Sequence, residues 1–464
     1  MSRPNILLLY TDQQRWDALG ANGNPDIHTP HLDRLAQEGV SFDRCFVQHP
    51  KCMPSRASTL TGQYPSTLGI THMGVPVPTD ARTLPRLLDS YGYWSANLGK
   101  LHFLPHANRD HRDPPPSYGF DHLEVADEPG PYNDAYRAWV RRRAPEALDD
   151  ISVGLPPMAE TWQHVMGAPR TVAHPGRERF PKRPVPFPGP DDATHTAFVA
   201  ERTIDVLRRS AREPFLCVAG FFAPHSPWVV PQRYLDRYDP SSFPLPDFPP
   251  EVDARRGDDH FSDAELRAAR HGYYAMITEV DHHVGRILDV LDDEGLCEDT
   301  IVVFTSDHGE RLGEHLQYSK GYPGRDPVSR VPLLVRYPNG LDDPGRTVSD
   351  IVEAVDLVPT MLAGAGLPIP GHLQGRPLLF SPDARTRSSA LMEGAGWKAL
   401  RTDRYRYVVH DDGTEVVFDL QEDPGEYHDR SDDLEGTPIL ASLRRRMLRR
   451  ILRAERPRPR TWPY

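Results

Sequence analysis

Cys52 opens the run Cys52-Met53-Pro54-Ser55-Arg56-Ala57-Ser58-Thr59-Leu60-Thr61-Gly62. A proline suited to a first helical turn, small helix-tolerant residues and a closing glycine predict a short helix that starts at the cysteine. Free N–H groups and the positive end of the dipole at such a start stabilise an anion: a thiolate at Cys52, or a sulfate or phosphate beside it. In isolation, a C-x-P sequence also reads as a buried structural cysteine. Two carboxylates accompany it. Asp12 follows the apolar run 6–9, and Asp307 follows the β-branched run 301–304. Both runs suit strands buried on two faces of a mainly parallel sheet, where ligand groups gather at the carboxyl ends. Asp12 and Asp307 can then meet on neighbouring strands around a divalent cation, although Asp12 alone would serve equally well as a turn cap. Lys100 and His102 come after a strand-like stretch, 93–98. His225 stands between Pro224 and Pro227 just past the apolar run 215–222, so its backbone is held rigidly. Each of these three also fits an ordinary solvated loop residue.

The elements that must position these groups alternate as strands and helices. Thr29-Pro30 opens a helix with Leu32, Leu35 and Ala36 on one face, ended by Gly39. Leu84, Leu87 and Leu88 mark another, and a third is expected over about 192–208. Ser262 and Glu265 form a capping box for a long helix. Its face runs through Leu266, Ala269, Tyr273, Met276, Ile277, Val280, Val284, Ile287, Leu288 and Leu291, with His282 and His283 expected on the polar side. Residues 330–335 read as a further strand. Residues 105–190 are Pro-rich and weakly periodic, and carry Arg141, Arg142, Arg143, Arg177, Arg179, Lys182 and Arg183. Such an insertion suits a lid or substrate-binding loop, and the last four residues are expected to border the pocket. From about 388 the pattern changes to short alternating strands, 399–409 and 416–420, joined at Asp412-Gly413. An Arg-rich final helix with Arg444, Arg445, Arg446, Arg449 and Arg450 reads as a solvated face.

Length and charge narrow the function classes. A chain of 464 residues with 26% charged residues buries a sizeable core, and a net charge of -12 argues against a general nucleic-acid binder. Four scattered cysteines, Cys45, Cys52, Cys217 and Cys297, suit neither a disulfide framework nor a zinc site. The apolar run 6–10 is too short for a signal peptide or a membrane span, so a cytoplasmic protein without membrane contact is expected.

The run from Cys52 to Gly62 resembles the type I sulfatase signature, C-x-P-S-R-x-x-x-L-T-G, at every specified position. Gly99-Lys100-Leu101-His102 is similar to the family's G-K-x-H motif, and Pro224-His225-Ser226-Pro227 to its P-H-x-P motif. The segment from Ser306 to Glu310, with Gly313-Glu314-His315 and Lys320, resembles its second metal-ligand segment. Asp419-Leu420-Gln421-Glu422-Asp423-Pro424-Gly425-Glu426 resembles its C-terminal D-L-x-x-D-P-x-E. The resemblance thus covers nearly the whole chain. It implies an α/β fold of the alkaline-phosphatase type: a large mixed, mainly parallel sheet sandwiched by helices, with a small C-terminal α+β subdomain. The expected division is a catalytic domain over 1–385 and a subdomain of antiparallel strands plus a terminal helix over 386–464.

The resemblance also implies a reaction, the metal-dependent hydrolysis of a sulfate monoester to sulfate and an alcohol. In the family the cysteine is oxidised to formylglycine, whose hydrate is the nucleophile, by a formylglycine-generating enzyme that reads the C-x-P-x-R core. Carried over, Asp12, Gln13, Asp307 and His308 hold the metal, and Lys100 and Lys320 take the sulfate oxygens. Arg56 holds the aldehyde-derived group, His225 assists the leaving alcohol, and His102 helps to remove the second hydroxyl proton. Calcium is the first choice of ion, with manganese or magnesium as alternatives. Gln13 departs from the Asp-Asp of many members, and Asp-Gln with Asp-His resembles choline-sulfatase-like and phosphonate-monoester-hydrolase-like members. A phosphonate monoester or phosphodiester hydrolase built on the same site is therefore the alternative, and a catalytically silent anion binder the third reading. The substrate is a small-molecule or carbohydrate sulfate ester. Its alcohol half lies with the insertion and residues such as His72 and Met73, and assembly into oligomers is left open.

Overall fold

The computed structural model describes residues 3–106, 110–152, 182–209, 214–256 and 261–455. Strand β1 (Asn5–Thr11) is followed by helix α1 (Pro30–Glu38), strand β2 (Val40–Phe42) and helix α2 (Cys52–Thr61). Next come β3 (Trp94–Gly99), β4 (His122–Val125), α3 (His195–Arg209) and β5 (Phe215–Gly220). The long α4 (Asp263–Asp293) leads into β6 (Thr300–Ser306), β7 (Leu333–Arg336) and β8 (Arg346–Val348). These eight strands form one sheet in the order β8-β2-β7-β6-β1-β5-β3-β4. Only the two pairings of β7 are antiparallel, so the sheet is mixed and mainly parallel.

Strand β1 is buried along its whole length because both faces of the sheet are covered. Alternation divides its side chains. Leu7 and Leu9 enter a core shared with α1, α3 and α4, while Ile6, Leu8 and Tyr10 enter another with Ala57 and Leu60 of α2. The helix α4 starts at the Ser262–Glu265 capping box, and all ten residues of its expected apolar face are buried. His283 differs from expectation. It is buried, with Nδ1 3.0 Å from Arg286 Nη1, because α4 packs against both α1 and α3 and little of its circumference is left to water.

The region 105–190 is less irregular than its composition suggests. β4 adds an edge to the main sheet, and a helix over Ala135–Arg143 is capped by Asp134 and buries Tyr136, Trp139 and Val140. The half-buried edge strand shows no continuous apolar run, which hides it from periodicity. Arg143 of this helix pairs with Asp192 and Glu201. Arg177 and Arg179 lie outside the described residues.

Toward the C-terminus, β9 (Ser389–Gly394), β10 (Trp397–Thr402), β11 (Tyr405–His410) and β12 (Glu415–Asp419) form an antiparallel sheet covered by α5 (Pro438–Ala454). The stretch expected as strand over 399–409 is split by a turn at Asp403-Arg404, and β9 adds a strand that was not foreseen. Arg450 is not on a solvated face. It donates to Tyr64 Oη at 2.6 Å and lies 2.5 Å from Glu353, a fully buried carboxylate that also meets Arg387 at 2.6 Å. Arg387 reaches Asp356 as well. Replacing it in Arg387→Met leaves buried Asp356 without its cation and Glu353 with Arg450 alone, so a loss of about 3–5 kcal/mol is expected, read as a lower thermal unfolding midpoint. An unchanged midpoint would show the network to be dispensable.

No helix among the described residues is long and apolar enough to cross a membrane. The four cysteines are unpaired.

Candidate active site

Helix α2 delivers Cys52 as its first residue, and every residue of the helix is buried. Gly62 ends it in the left-handed region, at φ 63°. On the far side, β3 and β5 close together so tightly that a Cβ on Gly220 would stand 2.1 Å from the Lys100 carbonyl oxygen. Glycine is therefore required there, and Lys100 leaves β3 pointing into the same space. β1 and β6 pair in parallel with Thr11 opposite Ser306, so Asp12 and Asp307 emerge side by side.

The groups converge on Cys52 Sγ. Lys320 Nζ lies 2.7 Å away, His308 Nε2 3.2 Å and Asp12 Oδ1 3.7 Å. Asp12 Oδ2 is paired with Lys100 Nζ at 2.5 Å. Asp307 Oδ1 lies 3.5 Å from His308 Nε2, and its Oδ2 accepts from Arg56 Nε at 2.6 Å. Arg56 also donates to the carbonyls of Lys100 and Thr11, at 2.9 and 3.1 Å, and stacks on Tyr10 at 4.4 Å. Its guanidinium is thus held by Asp307 and two backbone carbonyls.

Burial sets the charge states. It pushes the Cys52 thiol up to about 11, with Asp12 adding to the effect. Asp12 is held well below the usual carboxylate range because Lys100 and then Lys320 overcome its burial. His308 falls to about 4, chiefly through burial. Its Nδ1 lies 2.9 Å from the Gly309 carbonyl, which can only accept, so the neutral ring presents an unprotonated Nε2 to Asp12 and Cys52. His225 is likewise held neutral by burial and Lys320, with Nδ1 donating to the Ser226 carbonyl at 2.5 Å. His102 is depressed by burial and Lys100, and neither ring nitrogen has a hydrogen-bond partner.

These residues fit a divalent cation. Ligand atoms of Asp12, Cys52, Asp307 and His308 all lie within 4.8 Å of one another, the one such group among the described residues. Gln13, whose N–H donates to Asp307 Oδ1 at 3.1 Å, has a buried Oε1 without a hydrogen-bond partner. Oxygen donors with a single neutral imidazole suit a hard or borderline ion.

The cluster floors a cavity of about 560 Å³ lined by Lys100, His102, His225 and Lys320, and by Met53, Met73, His106, Glu128 and Lys182 around its wall. Lys182 therefore borders the pocket as expected, whereas Arg183 and His72 are exposed. His315, part of the motif that suggested the second metal segment, points away: its Nε2 donates to the Gly425 carbonyl at 2.8 Å, and its ring stacks on Tyr427. Sequence reasoning missed two acids. Asp127 Oδ1 accepts the N–H groups of Leu101 and His102 at 2.9 and 2.7 Å, fixing a loop in which His102 has φ 54°. Its signal was its place just past β4, an edge strand that was itself missed. Glu310 holds Gln13 and the loop before Lys320, and it lies within the very segment that carries Asp307 and His308.

Paired acids at parallel strand ends, a neutral imidazole and two ammonium groups around a helix-borne cysteine suit metal-assisted hydrolysis of an anionic ester. Residues 4–367 match the sulfatase family, and residues 313–453 match the C-terminal region of N-sulphoglucosamine sulphohydrolase. An ulvan-active sulfatase of Formosa agariphila is 30% identical over 441 residues, 91% of this chain and 76% of that protein. An arylsulfatase of Clostridium perfringens is 30% identical over 463 residues, 91% of this chain and 89% of that protein. The crystal structure of a phosphonate monoester hydrolase of Agrobacterium radiobacter superimposes with a TM-score of 0.79 at 27% identity, covering 97% of this chain and 95% of that one. The chain belongs to the sulfatase family, of the alkaline phosphatase superfamily, and is a sulfuric ester hydrolase.

Proposed function

We propose that the chain hydrolyses the sulfate monoester of a carbohydrate or another small alcohol, with formylglycine made from Cys52 as its nucleophile. The observation that carries this reading is the placement of position 52: on a helix N-terminus, 2.7 Å from Lys320 Nζ and next to a cation-type cluster. A sulfate ester has an electrophilic sulfur behind a shell of negative oxygens, so charge neutralisation matters as much as the nucleophile. Asp12, Gln13, Asp307 and His308 would hold the ion, calcium in our reading, with manganese or magnesium as alternatives. When bound it supplies positive charge to the sulfate oxygens and to the nucleophile. Formylglycine hydrate supplies one hydroxyl to attack sulfur and a second whose deprotonation expels sulfate and restores the aldehyde.

The remaining roles fall to side chains of the chain itself. Lys100 and Lys320 bind the sulfate oxygens from two sides of position 52. His225, neutral beside Lys320, gains a proton at Nε2 when the sulfate charge arrives, and gives it to the leaving alcohol. His102 takes the proton of the second hydroxyl on a loop that Asp127 clamps. The resemblance placed Arg56 on the aldehyde-derived group. With its guanidinium committed to Asp307, Thr11 and Lys100, we assign it to positioning. The relative active on ulvan favours a sulfated carbohydrate, and a formylglycine-generating enzyme is the maturation partner.

The test is mass spectrometry of the Cys52 peptide from protein made aerobically with a converting enzyme, with aryl sulfate and aryl phosphonate monoester assays run in parallel. An aldehyde together with a sulfate preference is expected. The second reading, a phosphonate monoester hydrolase, draws on the Agrobacterium radiobacter structure and on Gln13, and a phosphonate preference would establish it in place of the first. Lys182 supplies a third charge at the cavity wall, 5.2 Å from the Tyr318 ring. For Lys182→Ala we expect KM for an anionic substrate to rise about 2–5-fold at low salt with little change in kcat, the size of a partly exposed charge pair. A salt-independent KM equal to that of the unaltered protein would remove Lys182 from substrate binding.

A further inference from the structure

Glu310 touches no reacting atom, yet its carboxylate joins two parts of the site. It is 1% exposed, two residues beyond His308. Oε2 accepts from Gln13 Nε2, and Oε1 accepts the backbone N–H of Leu312, at 3.1 Å, and that of Ser319. Gln13 sits in the left-handed region at φ 73°, with its N–H donated to Asp307 Oδ1 at 3.1 Å and its carbonyl accepting from Tyr273 Oη at 2.7 Å. Once Nε2 is on Glu310, Oε1 is the one polar atom of Gln13 left without a partner, and it is buried.

A primary amide fits its space almost equally well in two orientations that exchange oxygen and NH2. An ionised carboxylate only accepts hydrogen bonds, so Glu310 selects the orientation that keeps NH2 toward itself and leaves the oxygen to the cluster. The same carboxylate grips Ser319, itself at φ 73° and directly before Lys320. Lys320 reaches Cys52 Sγ from that anchored loop.

We propose that Glu310 is a positioning residue with two outputs: it fixes the Gln13 amide so that oxygen faces the cation, and it fixes the reach of Lys320 to the substrate anion. This rests on reading Gln13 as an ion ligand, and the experiment separates the two claims. In Glu310→Gln, the acceptor for the loop survives on one atom while an NH2 group meets the NH2 of Gln13. Gln13 must then flip and turn a donor toward the cation. Calorimetry and electron paramagnetic resonance with Mn²⁺ on the metal-free protein should show a loss of affinity of roughly tenfold or more, the usual scale for a group that orients a metal ligand, with a raised KM for aryl sulfate and an unchanged circular dichroism spectrum. The double variant Gln13→Glu/Glu310→Gln exchanges amide and carboxylate at constant charge. Gln at 310 donates to one oxygen of Glu at 13 and leaves the other for the ion, so most of the lost Mn²⁺ affinity should return. A merely structural role for Glu310 would leave the double variant as weak as the single one, and that result overturns the proposal, as does unchanged affinity in Glu310→Gln. Absence of Mn²⁺ and Ca²⁺ binding by the unaltered protein would instead refute the ion site, and the proposal with it.

Discussion

Cys52→Ala is expected to abolish sulfate ester turnover, by on the order of 10⁴-fold or more, while the protein still binds its cation. The side chain at 52 lies at the meeting point of Lys320, His308 and Asp12, and no other nucleophile in the cluster can replace it. The unmodified thiol is a poor substitute on two counts. Burial and Asp12 push it up to about 11, so it is largely protonated at neutral pH in the metal-free site. A thiol that did attack would also form a thiosulfate-type adduct with no second hydroxyl to expel sulfate, and turnover would stall after one event. Cys52→Ser is accordingly expected to be trapped at best as a sulfated protein, one sulfuryl group heavier by intact mass. The measurement is a progress curve for three preparations: converted, unconverted and Cys52→Ala. Unconverted protein turning over as fast as converted protein would sink the proposed mechanism.

The second large effect concerns Asp307. Its two oxygens have separate duties, Oδ1 facing Gln13 N–H and His308, and Oδ2 neutralising Arg56, which is 1% exposed. Asp307→Ala therefore does more than remove a proposed metal ligand. It leaves a buried guanidinium without its counter-ion, a loss of about 3–5 kcal/mol in stability on top of the loss of metal and activity. Asp307→Asn keeps the shape and an acceptor for Arg56 but removes the charge that the cation requires. Both variants should lose metal, as measured by elemental analysis after dialysis, and both should lose turnover. The drop in thermal midpoint should be larger for the alanine variant. Stoichiometric metal retained by Asp307→Asn would rule out Asp307 as a ligand.

Much of this arrangement is legible in the sequence because the information is local. The apolar runs 6–9 and 301–304 declare β1 and β6, and an acid directly after each declares a strand-end carboxylate. The capping box at Ser262 and Glu265 and the stripe behind it declare α4. What the sequence hides is settled by partners far away in the chain. β4 is half-buried at a sheet edge, so neither apolar continuity nor clean alternation marks it, and Asp127 goes unnoticed with it. Arg450 looks like one more arginine on a charged helix until Glu353 and Tyr64 are seen beneath it. Glu310 stands in plain view within a recognisable segment, but its role depends on the amide of Gln13, almost 300 residues earlier. Arg56 shows the same limit in reverse. Its motif is legible in the sequence, while its contacts lie with Asp307 and two backbone carbonyls.

The complete burial of α2 bears on timing. Cys52 is 2% exposed at the bottom of a cavity wide enough for a small ester but not for another protein's catalytic groups. If position 52 is modified by another enzyme as proposed, that enzyme meets a residue at the start of a helix whose every residue is buried, so the folded chain withholds the site from it. The proposed maturation and the folding of α2 would then compete for the same segment. On the proposed conversion of Cys52, protein that folds before it is modified is expected to stay as thiol, which intact mass of unfolded-then-treated and natively treated samples would reveal.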